Sequence, residues 1–398
     1  MENRFQKLFR YTRIYGIFRA MVKAIGRSPY LSWVGGLLRV PWPFKKRRRL
    51  AGMIGCGQFA FSTIAHFVMG RGVGFASCFD VKQMNAKAFA RFYGVKNISS
   101  SIDEFFLTPG LKKVFIASNH HSHAEYAIKA LSKDLDVHIE KPISVTIQQF
   151  QDLLVAKENS NGSAVAGYNR PFSRAVQFVK GKILGNQEPL SLACFVSGHL
   201  IGPDHWYRHP KEGTRICGNV GHWIDLAIHL FSVRGLVPEK YFVSICYGNL
   251  LRDDRDDNIS ISISTDLGDL VNIFLGSRAE PFEGINETIN LQSGKIIAKI
   301  DDFRRMDFWD GPKFKRLRFW PKDVGHKKTT HQILGGREQR DWSEVEMSTL
   351  LMLRIKQMVV KQKTEQSFEI RKELLDLKKG KSEGKEIDEA NTAVIQKW

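Results

Sequence analysis

Residues 50–60, LAGMIGCGQFA, run from an apolar stretch through a glycine turn into the helical pattern FAFSTIAHFVMG. A G-x-G-x-x-A turn between a strand and a helix constrains the fold more than any other feature of this chain. Gly55 permits the tight turn, Gly57 lets the main chain approach a pyrophosphate, and the small Ala60 lets helix and strand pack closely. Gln58 and Phe59 open the helix, whose N-terminal amides and partial positive charge favour the same anion. Asp80 ends a second strand, GVGFASCFD, where a carboxylate can accept from the ribose hydroxyls of an adenosine. That acid favours NAD, and Lys82 beside it leaves room for the phosphorylated cofactor NADP. The plainer alternative is a pair of glycines that makes a turn and binds nothing.

Strand–helix alternation continues through AKAFARFYGV, a short helix opened by Ser101, the strand KKVFIAS, the helix AEYAIKALSK and a strand ending in VHIEKP. Repeated units of this length predict an α/β Rossmann domain, a doubly wound parallel sheet, over residues 50–167. Beyond Gly167 the texture changes. A helix over 173–184 precedes LSLACFV, YFVSICYG, ISISIST, LVNIFLG, ETINLQS and KIIAKI, several alternating apolar and polar with period two. These predict an α+β domain with a large open, predominantly antiparallel sheet over 168–362. It includes helices at His222–Phe231 and Asp341–Lys361 and is followed by a charged, frayed tail over 363–398.

The net charge of +19 is unevenly spread. The first fifty residues carry thirteen Lys/Arg against Glu2 alone, so +12 of it belongs to one extension. Residues 1–49 contain an amphipathic helix with Ile14, Ile17, Phe18, Met21, Val22 and Ile25 at helical spacing. Its apolar stripe suits docking on the protein's own body; with Trp33 and Trp42 it also suits an anionic membrane surface. No nucleic-acid-binding motif accompanies KKRRR, so no nucleic-acid partner is expected. The five cysteines are scattered without a C-x-x-C pair, which fits reduced thiols in a cytoplasmic protein. No apolar window reaches spanning length.

Three further segments carry candidate chemistry. Ser118, Asn119 and His123, in SNHHSH, follow a strand at the sheet edge where ligands bind in such folds. A helix cap or a packed histidine would explain them as well. Glu140-Lys141-Pro142 ends the next strand, where an ammonium facing the crevice could hold a substrate hydroxyl or accept its proton. His222 and Asp225, in CGNVGHWID, share a helix face, as a carboxylate-oriented acid/base pair or as a capping histidine and a buried tether. His199, Asp204, His205 and His209 match no metal-ligand spacing, and no metal is assigned.

Taken in order, GCGQFA, the strand-ending FD, IASNHHSHAEYAIKAL, EKP, GYNRPF and GNVGHWID resemble the Gfo/Idh/MocA family over residues 50 to about 355. The resemblance implies pyridine-nucleotide oxidation or reduction of a secondary alcohol on a sugar, cyclitol or nucleotide sugar. It places the catalytic pair on Lys141 and His222, and puts Glu140 and Asn169 beside the cofactor. Arg170, Trp206, Asn219, His222 and Asp225 fall on the substrate side, with Trp206 in the loop over 202–215. An exposed face of the large C-terminal sheet invites assembly into a homo-oligomer. NRPFSRAVQFV and GPDHW look like members tied to surface polysaccharide synthesis. The chain departs from the pattern at Gly218, where many relatives carry an aspartate four residues before the histidine. That glycine keeps a second reading open, a dinucleotide-binding scaffold or sensor without turnover.

Overall fold

The computed structural model describes residues 4–27, 48–202, 204–248, 256–278, 284–336 and 338–380. Six parallel strands form the first sheet: β1 (Arg48–Ile54), β2 (Val73–Phe79), β3 (Asn97–Ile98), β4 (Lys113–Ile116), β5 (Asp136–Ile139) and β6 (Ala164–Ala166). Their order is β3-β2-β1-β4-β5-β6, so the connection direction reverses beside β1 and opens a crevice at the carboxyl ends of β1 and β4. Burial on both faces explains the continuous apolar runs. Met53 faces one core and Ile54 the other.

The glycine turn leads into a π-helical turn, Ala60–Ile64, continued by α3 (Ala65–Gly70). The other helices of this domain are α4 (Gln83–Tyr93), α5 (Ile102–Phe106), α6 (His123–Leu131) and α7 (Ile147–Glu158). α5 starts where the Ser101 hydroxyl accepts from the Glu104 N–H, at 3.1 Å.

The second sheet has nine strands: β7 (Leu190–Ser197), β8 (Tyr241–Tyr247), β9 (Asn258–Thr265), β10 (Leu270–Gly276), β11 (Asn286–Ser293), β12 (Ile296–Asp301), β13 (Arg305–Asp310), β14 (Lys313–Arg318) and β15 (Glu365–Phe368). All pairs are antiparallel except β7–β10. The inner face packs on α8 (Arg174–Ile183), α9 (Gly221–Arg234) and α11 (Trp342–Val360), and one apolar core continues from there into the first domain. The outer face stays open. On it the Phe195 and Phe274 rings stack with centroids 4.9 Å apart.

Two expectations about the ends are corrected. The N-terminal helix is two helices, α1 (Arg4–Tyr15) and α2 (Ile17–Gly26), because Gly16 adopts φ 81 between them. Its inner residues dock on the protein itself: Val22 and Ile25 join the core around Phe61 in the π-helical turn, and Tyr11 and Ile14 are buried. Trp320 Nε1–H and the Lys322 N–H donate to the Arg13 and Ile14 carbonyls, at 2.8 Å each. Trp33, Trp42 and most of KKRRR lie outside the described residues. At the other end, residues 365–378 are not tail. β15 pairs with β8 at the sheet edge, and α12 (Ile370–Lys378) buries Ile370, Leu374 and Leu377. Strands β3, β6, β13, β14 and β15 and the helices α7, α10 (His326–His331) and α12 have no counterpart in the sequence reading; β14, KFKRLR, has no buried position and gives no alternation to read.

Candidate active site

Gly55 sits at φ 81, and a Cβ there would stand 2.5 Å from the Ala117 carbonyl oxygen, so only glycine closes this turn against β4. Gly57 is the opposite case. Nothing lies within 4 Å of where its Cβ would be, so the main chain there faces open space. The first amides of the helix that follows have no intrahelical acceptor. Asp80 buttresses the turn: its carboxylate accepts from the Cys56 and Lys82 N–H groups at 2.7 Å each, with Asn85 Nδ2 at 3.4 Å. Each oxygen keeps acceptor capacity for a ribose hydroxyl. The open main chain, the unpaired helix amides and the acid after β2 together fit a dinucleotide. Gln58 and Phe59 open the helix as the turn requires, with the Phe59 ring edge-on to His326 at 5.3 Å.

Lys141 stands at the carboxyl end of β5. Its ammonium donates to the Gly218 carbonyl at 2.9 Å, tying the first domain to the π-helical turn Ile216–Val220 that opens α9. Gly218 lies four residues before His222, and the Lys141 charge acts on that imidazole. Burial lowers the Lys141 pKa to about 8; Glu140 opposes that shift and Arg170 adds to it. Burial, then Arg170 and Lys141, push His222 well below the usual imidazole range and keep it neutral. Its ring packs edge-on against Tyr168 and Trp223, and its Nδ1 is buried with no hydrogen-bond partner.

Asp225 does not orient that imidazole. It is fully buried and accepts from Arg340 Nη1 at 2.6 and 2.7 Å and from the Ser348 hydroxyl at 2.9 Å, so it anchors α9 to α11. The helix-face argument fails because a buried carboxylate takes the cation that a distant segment supplies.

Several other expected ligand residues are spent inside the protein. Arg170 makes a two-point contact with Glu287, at 3.0 and 2.8 Å, over the Trp223 ring. Asn169 donates to the Val324 carbonyl and accepts from Arg170. His123 places Nδ1 2.8 Å from the Pro142 carbonyl and Nε2 3.1 Å from the Ser118 carbonyl, pinning the β4 and β5 loops together. Asn119 Nδ2–H donates to Glu212 at 2.7 Å, and the Ser118 hydroxyl pairs with that of Ser122. Glu140 keeps its carboxylate within reach of His138 Nε2 and the Lys141 N–H, against the bare main chain of Gly167.

The loop between β7 and α9 supplies what the sequence reading missed. A Cβ on Gly218 would fall 1.6 Å from the Tyr207 hydroxyl oxygen and 2.9 Å from His120 Cε1, so the phenol fills the space a side chain there would take. Tyr207 donates to Asn219 Oδ1 at 2.8 Å, and burial keeps the phenol protonated. His120 bridges the layers. Its ring meets Trp206 and Tyr207 edge-on, and its Nδ1–H donates to the Glu212 carbonyl at 3.0 Å. Trp206 itself remains 48% exposed at the rim. Lys141, His120, Tyr207, Asn219 and His222 therefore converge around Gly218.

Residues 49–168 match the sequence model of the GFO_IDH_MocA oxidoreductase family, NAD-binding Rossmann fold. The chain is 24% identical over 197 residues to a glucose-6-phosphate 3-dehydrogenase of Bacillus subtilis, and 24% identical over 196 residues to an inositol 2-dehydrogenase of Ralstonia nicotianae. Each match covers 48% of this chain and 55% of the relative, so the chain spans about half the length of these curated relatives. Among solved structures, a levoglucosan dehydrogenase in complex with NADH and L-sorbose superposes with a TM-score of 0.67 at 16% identity, covering 81% of this chain and 99% of the other. GenD2 from gentamicin A biosynthesis, in complex with NAD, superposes at 0.65 with 16% identity over 83% and 99% of the two chains. These structural likenesses speak for the fold. Residues 49–168 are thus similar to the NAD-binding Rossmann domain of the Gfo/Idh/MocA oxidoreductases.

Proposed function

We propose that this protein is an NAD(P)-dependent oxidoreductase that interconverts a secondary alcohol and a ketone on a sugar, cyclitol or nucleotide sugar, with a role in surface polysaccharide synthesis. The observation that carries this reading is the Lys141 ammonium bound to the Gly218 carbonyl, one helical turn before His222. The dinucleotide, held on the amides after Gly55 and by Asp80, supplies the hydride acceptor or donor. The chain's own residues handle the proton. An amine with a pKa of about 8 is partly neutral near physiological pH and can take the proton from a substrate hydroxyl. His222 is the poorer base, since charging it beside Lys141 and Arg170 is costly; it serves as a neutral hydrogen-bond partner that orients the same hydroxyl. Asn219, with Tyr207, faces the remaining hydroxyls.

The scaffold alternative rests on Gly218, and it loses that motive because Tyr207 occupies the space beside this glycine. The test is NAD reduction by a panel of sugars and nucleotide sugars, followed at the reduced-nicotinamide absorbance. Lys141→Ala should lower kcat by on the order of a hundredfold with NADH affinity retained, and His222→Ala should lower it less. Wild-type turnover in Lys141→Ala removes the lysine from the reaction.

The open sheet face, with Phe195 54% exposed and stacked on Phe274, suits a homodimer interface. Phe195→Glu should convert a dimer to a monomer in sedimentation, and an unchanged mass refutes that assembly. Five free cysteines suit a cytoplasmic setting. Among the described residues, the outer side of α1 and α2, where Phe9, Ile17 and Phe18 remain exposed, offers a contact with the inner membrane face. Phe18→Ser should then weaken co-sedimentation with anionic vesicles; equal pelleting of both proteins dismisses the contact.

A further inference from the structure

Arg215 immediately precedes the π-helical turn that holds Gly218, and it is 3% exposed. Only one of its donor groups is used by its side chain: Nε–H donates to Asp257 Oδ1 at 2.7 Å. The other oxygen of Asp257 serves Arg208, at 3.0 Å. Asp256, the next carboxylate, is turned to the Arg215 and Ile216 N–H groups, and burial pushes its pKa up. Nη1 and Nη2 of Arg215 are therefore buried with no hydrogen-bond partner among the described residues.

A second orphan faces the same place. Ser277 follows β10, is 3% exposed, and its hydroxyl is also without a partner. Both groups flank Gly198, which follows the neighbouring strand β7. From the point where a Cβ on Gly198 would stand, Leu275 Cδ1 is 3.0 Å away, Ser277 Oγ 3.1 Å and Arg215 Nη1 3.6 Å. The Arg215 guanidinium and the Ser277 hydroxyl thus stand side by side next to Gly198. Buried donors are seldom left unmade in a folded protein, because an unmet donor destabilises it. A planar fork of N–H groups with an adjacent hydroxyl matches the oxygens of a carboxylate or phosphate. Arg215 directly precedes the turn that holds Gly218, and it shares the Asp257 carboxylate with Arg208, the residue after Tyr207 in the loop that covers that glycine.

We propose that Arg215 and Ser277 form an oxyanion subsite next to the reacting centre, and that the substrate is an anionic sugar whose carboxylate or phosphate they hold. This rests on the oxidoreductase reading above, which leaves the charge of the substrate open. Neutral polyols have no group that uses this fork fully, so the subsite discriminates against them.

The test is isothermal titration of the full chain, with and without saturating NADH, using glucuronate, glucose 6-phosphate and glucose. At least one of the two anionic sugars should bind at least tenfold tighter than glucose, and whichever it is identifies the carboxylate or the phosphate as the group held. Ser277→Ala should weaken that binding about fivefold to tenfold. Arg215→Lys, which keeps a cation for Asp257 but removes the fork, should weaken it on the order of a hundredfold. Glucose and NADH affinities should not move. Should Arg215→Lys fail to fold, Ser277→Ala carries the test alone. Equal affinity for all three sugars, no binding of either anionic one, or wild-type anion affinity in the variants overturns the subsite. Turnover of neutral sugars alone likewise overturns it and leaves the oxidoreductase standing. Anion binding that depends on Ser277 in a protein that fails to bind NADH would retain the subsite and remove the oxidoreductase.

Discussion

Replacing Gly218 with alanine adds one carbon at a place the structure has already filled. The new Cβ would stand 1.6 Å from the Tyr207 hydroxyl and 2.2 Å from its Cζ, so the phenol has to leave. That forfeits the hydrogen bond to Asn219, about 1 kcal/mol net, and adds overpacking of about 1–3 kcal/mol. Together these come to about 2–4 kcal/mol, a fall in thermal midpoint on the order of 5–10 °C for a domain of this size. Tyr207→Ala alone removes the same hydrogen bond but opens the space. In that background Gly218→Ala no longer meets the phenol but still approaches His120 Cε1 at 2.9 Å, and should cost less than in the wild type. Differential scanning of wild type, both single variants and the double variant closes the cycle. Contacting residues should depart from additivity by at least about 1.5 kcal/mol, with the double variant close to Tyr207→Ala. Additive shifts, within about 0.5 kcal/mol, would mean that Tyr207 does not lie over Gly218, and the account of the covering loop would fall.

Two more outcomes follow from the electrostatics. Lys141 must be deprotonated to accept a proton, so alcohol oxidation should rise with pH through about 8 and then level off, while ketone reduction falls over the same range. A pH-independent rate between 6.5 and 9.5 contradicts the assignment. Arg340→Ala leaves the fully buried Asp225 without its cation and should cost about 3–5 kcal/mol, roughly 10 °C in thermal midpoint. A loss under about 1 kcal/mol would mean that the pair does not anchor α9.

The parallel half of the fold is legible because its strands are buried on both faces and separated by glycine turns and regular helices. The second sheet is legible where inner and outer positions alternate, as in β7, and illegible where both faces are wet, as in β14. β15 is only four residues long, anchored by Phe368, and reads as tail. Within the site, Lys141 and His222 stand out in sequence because each ends or opens an element at the crevice. The fates of Arg170, Asn119 and Asp225 do not, since Glu287, Glu212 and Arg340 come from segments about 90 to 120 residues away. Tyr207 is hidden because no local pattern marks a loop side chain that folds back over a nearby turn. Its only trace in the sequence is the unexplained glycine at 218, eleven residues downstream.

The central claim is that a dinucleotide lies on the main chain at the first glycine turn, and Gly57→Ala tests it most directly. No described residue beyond its chain neighbours lies within 4 Å of the added Cβ, so the variant should fold with a wild-type thermal midpoint. The methyl group would stand where the pyrophosphate has to approach, and titration with NADH should show affinity reduced by on the order of a hundredfold. Undiminished NADH affinity in a fully folded Gly57→Ala protein would place the cofactor elsewhere and contradict the account.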